Sequence, residues 1–146
     1  ATDIDQHAAN HLLQVYPSLK KDHVCCVPVQ SLPFANAFFD HIICSAVLHF
    51  ASSKSDFLQM FTELTRVLKS GGSLFIRTAS DIGIEDRIIP LGECRFSLPD
   101  GSDRFLLTKS LIQELLDTFP VKLAEPVKTT NVQDKRCMTT LVMVKE

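Results

Sequence analysis

The sequence predicts an α/β protein whose sheet is mostly parallel and ends in an antiparallel strand pair. Three observations carry this. Short strand-like apolar runs alternate with amphipathic stretches at helical spacing, the pattern of strand–helix–strand units. The run Phe38 to Val47, FFDHIICSAV, is almost continuously apolar, which suits a central strand covered on both faces. The last two runs, roughly 121–130 and Cys137 to Lys145, are joined by a short connection carrying Asn131 and Asp134, which allows an antiparallel hairpin.

Each element has a local reason. ATDID at residues 1–5 reads as a strand end turning into a helix, with Asp5 placed to cap free backbone N–H groups. The helix runs from about Gln6 to Tyr16, with Ile4, Ala8, Leu12 and Val15 on one face and Pro17-Ser18 as its stop. Val24-Cys25-Cys26-Val27 is a short strand, and Gln30 to Ala37 is a loop containing Leu-Pro-Phe. Ser53 or Ser55 caps a second helix with Asp56 in its first turn. Phe57, Met60, Phe61, Leu64, Val67 and Leu68 repeat along it at helical spacing. Lys69 sits at its cation-favouring end, Gly71-Gly72 stop it, and Ser73 to Thr78 follow as a strand. Residues 80–107, with three glycines, two prolines and many charges, read as one long irregular stretch. Thr108 caps a third helix that presents Leu111, Ile112, Leu115, Leu116 and Phe119. Pro126 cannot donate to a ladder, so the strand holding it belongs at an edge.

The totals narrow the function. A chain of 146 residues, 45% apolar, suits one domain with a real core, spanning 1–146. Its formal charge of −2 shows no basic stripe, so no nucleic-acid partner is indicated. No apolar run reaches the ~18 residues of a membrane span, and no secretory signal opens the chain. Cys25, Cys26, Cys44, Cys94 and Cys137 are odd in number and lack paired spacing. They read as buried structural thiols in a reducing, cytoplasmic setting, with Cys25 and Cys26 on opposite faces of their strand. His7 and His11 have helical i, i+4 spacing but no third ligand nearby, so no metal site is expected.

Function enters through a resemblance carried by motifs in order. ATDID looks like the second-strand motif of class I S-adenosylmethionine-dependent methyltransferases. SLPF followed by FFDHIICSAVLHF is similar to their adenine-side loop and fourth strand. TELTRVLKSGGSLFIRT is similar to their helix, Gly-Gly turn and fifth strand, and the closing strand pair to their last two strands. The likeness is strong over residues 1–80 and looser over 105–146. It is nearest to the small stand-alone members with the LPF…FD signature.

The resemblance implies S-adenosyl-L-methionine as cofactor and methyl transfer to a small-molecule acceptor. It makes Asp3 the acceptor of both ribose hydroxyls, a task for a carboxylate with several lone pairs, where the plainer alternative is a turn or cap residue. Ile4 would lie on the adenine face. Pro28 departs from the pattern, standing where the family often has an adenine-binding aspartate, so recognition would rest on the Val29 backbone N–H. Cys44, Ser45 and His49 fall at the end of the fourth strand, where ligands sit in open α/β sheets. There His49 would orient a substrate or accept a proton, or else be a satisfied structural histidine. Residues 80–107 would form a substrate-facing cover with Asp81, Glu85, Asp86, Arg87, Arg95 and Arg104 as its polar groups.

The family's Asp/Glu-x-Gly-x-Gly loop and the strand before it are absent: every glycine here lies after the fourth-strand motif. The expectation is a partial domain whose parent binds the cofactor while this chain alone binds it poorly. The alternative is a variant in which the flanking strands close the gap. Two rivals from other classes are a catalytically inactive scaffold or partner subunit on the same fold, and a nicotinamide-dependent oxidoreductase, which also carries a ribose acid.

Overall fold

In the computed structural model, which describes residues 1–146, a two-stranded and a five-stranded sheet face each other across a cleft and a small three-stranded sheet closes one end. The first sheet is the parallel pair β1 (Thr2–Asp3) and β2 (Cys25–Cys26), linked by α1 (Gln6–Val15). The Asp5 carboxylate caps α1 by accepting from the His7 N–H at 2.8 Å. The expected apolar face of α1 is only partly used. Ala9 is its buried residue, Leu12 and Leu13 are half-buried, and Ala8 and Val15 are exposed. A helix lying on two short strands has little surface to cover.

The main sheet contains β3 (Phe39–Ser45), β4 (Leu68–Ser80), β8 (Val121–Leu123), β9 (Lys128–Val132) and β10 (Arg136–Lys145). β3 and β4 are parallel, and β10 runs antiparallel to β4 and takes β8 and β9 on its other side. The sheet is therefore mixed, with parallel pairing at its start and antiparallel pairing at its end. The strand expected over 121–130 is broken around Pro126 into β8 and β9, both at the edge, as a missing N–H donor requires. Gln133 and Asp134 turn the β9–β10 hairpin with φ of 55° and 57°.

α2 (Lys54–Val67), capped by Ser53, and α3 (Lys109–Thr118), capped by Thr108, pack their apolar stripes on one face of this sheet. Phe57, Phe61, Leu74, Ile76, Leu115 and Leu141 form the centre of that core, each 1% exposed or less. The opposite face is covered only at one end, where Ala79 and Met138 are buried with Ile84, Leu98 and Leu106, and it is open at β3. Ile43 on β3 is 79% exposed and its neighbour Phe75 is half-buried, so β3 is not the strand covered on both faces that its composition suggested. The end of α2 is capped from a distance: the Lys145 ammonium donates to the Thr65 and Leu68 carbonyls at 2.7 and 2.9 Å. Lys69 instead pairs with Asp40 on β3.

Gly71 and Gly72 lie within β4 and not before it, where the β3–β4 register slips. Gly71 has φ +76°, and a side chain on Gly72 would come within 2.8 Å of the Asp40 carbonyl. Residues 80–107 are not irregular. They form a three-stranded antiparallel sheet, β5 (Ile89–Gly92), β6 (Arg95–Ser97) and β7 (Asp103–Phe105). Local turn residues hid these strands because their pairing partners lie within the segment. Phe105 anchors the small sheet by stacking on Phe57, with ring centroids 4.8 Å apart. No helix is long and apolar enough to cross a membrane.

Candidate functional site

The cleft between the first sheet and β3 has a volume of about 600 Å³. It exists because β1 pairs only with β2 and β3 only with β4, so two unpaired strand edges face it. The expected alternative, in which these strands close on each other, is not what the chain does. Ile4, Val27, Pro28 and Val29 line one wall, and Ile42, Cys44 and Val47 line the other. Its size falls within the range of small-molecule and cofactor sites.

The Leu-Pro-Phe loop floors this cleft and is held by one guanidinium. Arg66 donates to the Leu32 and Phe34 carbonyls at 3.0 and 2.8 Å and to Glu63, whose carboxylate also accepts from the Leu32 N–H at 2.9 Å. The Arg66 hydrogen bond holds the Glu63 carboxyl below the usual carboxylate range. This network escaped the sequence reading because its partners are some thirty residues apart and two of them are backbone carbonyls.

Asp3 lines the cleft at the end of β1. Its Oδ1 accepts from the Asp5 N–H at 2.8 Å, the turn role, while Oδ2 makes no hydrogen bond within the chain. The Val29 N–H also has no partner in the chain. Ile4 is 75% exposed at the mouth. Cys44 is buried in the wall, and burial pushes its thiol up to about 12, so it remains protonated and unreactive. Cys25 is half-buried and Cys26 exposed, against the expectation of buried thiols, because the two-stranded sheet leaves that strand open. All five cysteines are free.

A second cavity, about 250 Å³, lies beyond the C-terminal ends of β3 and β4. Leu98, Asp100, Ser102 and Arg104 of the small sheet form one side, and His49, Arg77 and Arg136 another. His49 is 8% exposed, and its Nδ1 accepts from the Ala79 N–H at 3.4 Å, which leaves the ring proton on Nε2. Burial, helped by the charges of Arg104, Arg136 and Arg77, pushes His49 down to about 4 from 6.5. The two cavities share Ala46, which follows β3 with φ +59° and donates its N–H to the Arg77 carbonyl at 2.8 Å. Ser45, exposed at the end of β3, adjoins this junction but does not line either cavity.

The sequence profile described as "Methyltransferase domain" matches residues 1–76, more than half of the chain. The chain belongs to that methyltransferase domain family. S-adenosyl-L-methionine is its cofactor. No curated protein matches the chain. Solved structures agree on the fold. A SAM-dependent methyltransferase from Methanosarcina mazei is 17% identical with a TM-score of 0.76, over 99% of this chain and 80% of that one. The N-methyltransferase NodS from Bradyrhizobium japonicum, in complex with S-adenosyl-L-homocysteine, is 15% identical with a TM-score of 0.69, over 99% and 65%. The [4+2]-cyclase SpnF is also similar, at 15% identity and a TM-score of 0.72 over 99% and 65%, so the fold alone does not dictate one reaction.

The methyltransferase domain's residues fit one half of this cofactor. A carboxylate oxygen, a free backbone N–H and an exposed apolar side chain stand together where a ribose and a flat base could sit. Of the cleft's other polar groups, the Gln30 amide donates to Asp56 at 2.6 Å and the His41 ring is bonded to Ser73 at 2.8 Å. His7 and His11 are exposed on α1, and no group of three metal-ligating side chains comes together.

Proposed function

We propose that the chain forms the nucleoside-binding wall and the adjoining acceptor pocket of a methyltransferase acting on a small molecule. The meeting of the two cavities at Ala46, at the C-terminal end of β3, carries this reading. Ligands of open α/β sheets gather at such strand ends, and a methyl group must pass between two adjacent sites. The cofactor supplies an electrophilic methyl group on a sulfonium. The chain's residues align and shield. Asp3 accepts from the ribose hydroxyls through its free oxygen, Ile4 and Pro28 flank the base, and the Val29 N–H donates to a base nitrogen. Cys44 lines the cofactor cleft beside the shared Ala46, with Ser45 exposed next to it outside both cavities. His49 holds the acceptor as a hydrogen-bond donor through Nε2, its Nδ1 being occupied. A proton acceptor is needed only where the nucleophile must lose a proton.

Calorimetric titration with adenosine and with S-adenosylhomocysteine tests the reading. Both should bind with similar affinity, since the Gln30 amide and the His41 ring are already engaged within the chain, and Asp3→Asn should weaken both by about tenfold. Absence of binding by either would leave the inactive scaffold as the better description of this chain.

A further inference from the structure

The second cavity has a charge that the methyl-transfer chemistry does not require. Three arginines, Arg77 from β4, Arg104 from β7 and Arg136 from β10, line it against a single carboxylate, Asp100. They come from three strands distant in sequence, so the convergence is a product of the fold. Their donors are largely uncommitted. The Arg77 side chain makes no hydrogen bond or ion pair within the chain. Arg104 donates only to the neighbouring Asp103 carbonyl at 2.8 Å, and its guanidinium lies 5.1 Å from the Phe50 ring centroid. Arg136 approaches Asp100 no closer than 3.9 Å, and the other oxygen of Asp100 is taken by Ser102. A guanidinium carries five N–H donors in a planar fork that matches carboxylate and phosphate oxygens. Guanidinium groups crowded into one cavity repel each other unless an anion lies between them. The low titration range of His49, to which all three contribute, agrees with their convergence at one place.

The remaining wall is apolar, with Leu98, Val132 and Met138. A ligand that satisfies both halves has an oxyanion at one end and an apolar body at the other. The Ala46 junction places that body next to the cofactor cleft.

We propose that this cavity binds the methyl acceptor by an anionic group, a carboxylate or phosphate, clamped by Arg77, Arg104 and Arg136. The substrates are then small amphipathic acids. The assignment to an acceptor rests on the methyltransferase reading above, whereas the anion site itself does not.

The test is an NMR titration of the ¹⁵N-labelled chain with benzoate, with phenyl phosphate and with neutral benzamide, following the amides of residues 77–79, 100–104 and 136. Saturable binding of at least one anion, with benzamide about tenfold weaker or more, is expected. Benzoate against phenyl phosphate distinguishes a carboxylate from a phosphate acceptor. Arg77→Gln and Arg104→Gln should each weaken the anion by about tenfold, while Arg77→Lys retains part of the affinity and Lys135→Gln, an equal charge change outside the cavity, has little effect. Should Arg77→Gln not fold, judged by its spectrum, Arg104→Gln and Arg136→Gln carry the test. Equal binding of benzoate and benzamide, equal losses from Lys135→Gln and the cavity variants, or no saturable binding of either anion overturns the proposal. Adenosine binding without anion binding sinks this inference alone. Anion binding without adenosine binding sinks the methyl-transfer reading and leaves an anion site on a scaffold.

Discussion

His49 should make this domain acid-sensitive in a defined window. Its imidazole is 8% exposed, takes the Ala79 N–H on Nδ1 and stands among three arginine charges, so the folded state resists its protonation. In the unfolded chain it titrates near 6.5, in the folded chain near 4. As pH falls below 6.5 the unfolded state takes up the proton first. Stability is therefore full above that value, declines between 6.5 and 4, and declines no further on this account below 4. At 1.36 kcal/mol per pH unit the loss is about 3 kcal/mol. His49→Gln isolates it, because the amide oxygen can still accept from Ala79 while the titration is gone. Urea unfolding of both proteins at pH 7, 6, 5 and 4 should show the native chain losing about 3 kcal/mol more than the variant. Carboxylates titrating in the same range cancel in the difference. Parallel stability curves, or a His49 ring resonance that titrates near pH 6.5, would refute the reasoning.

Other elements predict as sharply. Arg66→Ala frees two loop carbonyls and strips Glu63 of its partner. It should cost about 2–3 kcal/mol and speed amide exchange at Leu32, the residue tied to the same network. The two neighbouring glycines should separate in urea titrations. Gly71→Ala has room but a φ of +76°, for about 1 kcal/mol, whereas Gly72→Ala drives a methyl into the Asp40 carbonyl, for about 2–3 kcal/mol. Phe57→Ala should cost about 3–5 kcal/mol and raise hydrogen exchange across β6 and β7, since its stack with Phe105 ties the small sheet to the core. An unchanged exchange pattern there would show that the sheet is held by something else.

Helices, caps and the closing hairpin were legible in the sequence because their causes are local. Asp5 and Thr108 cap their helices as read, and of the two serines offered for the second helix Ser53 is the cap. The stripe from Phe57 to Val67 is buried as its spacing requires, and Pro126 marks an edge because a missing donor is a property of one residue. The motif order also reached the family, and it placed Asp3, Ile4, Pro28, Val29 and Cys44 around one cleft. What the residues could not disclose depends on neighbours distant along the chain. FFDHIICSAV reads as a doubly covered strand, yet Ile43 is exposed, since composition reports the cover a strand suits and not the cover it has. The small sheet over residues 80–107 is an exception with a local cause: its strands are only three or four residues long and lie among turn residues, which read as loop. His49 belongs to the second cavity and not to the cleft, because the short turn after Ala46 carries it across. Arg77 and Arg136 carry no signal in one dimension, and Arg104 reads only as one polar group among several in residues 80–107. They become a single electrostatic site only when β4, β7 and β10 converge, and charge acts through distance in space, with no regard for separation along the chain.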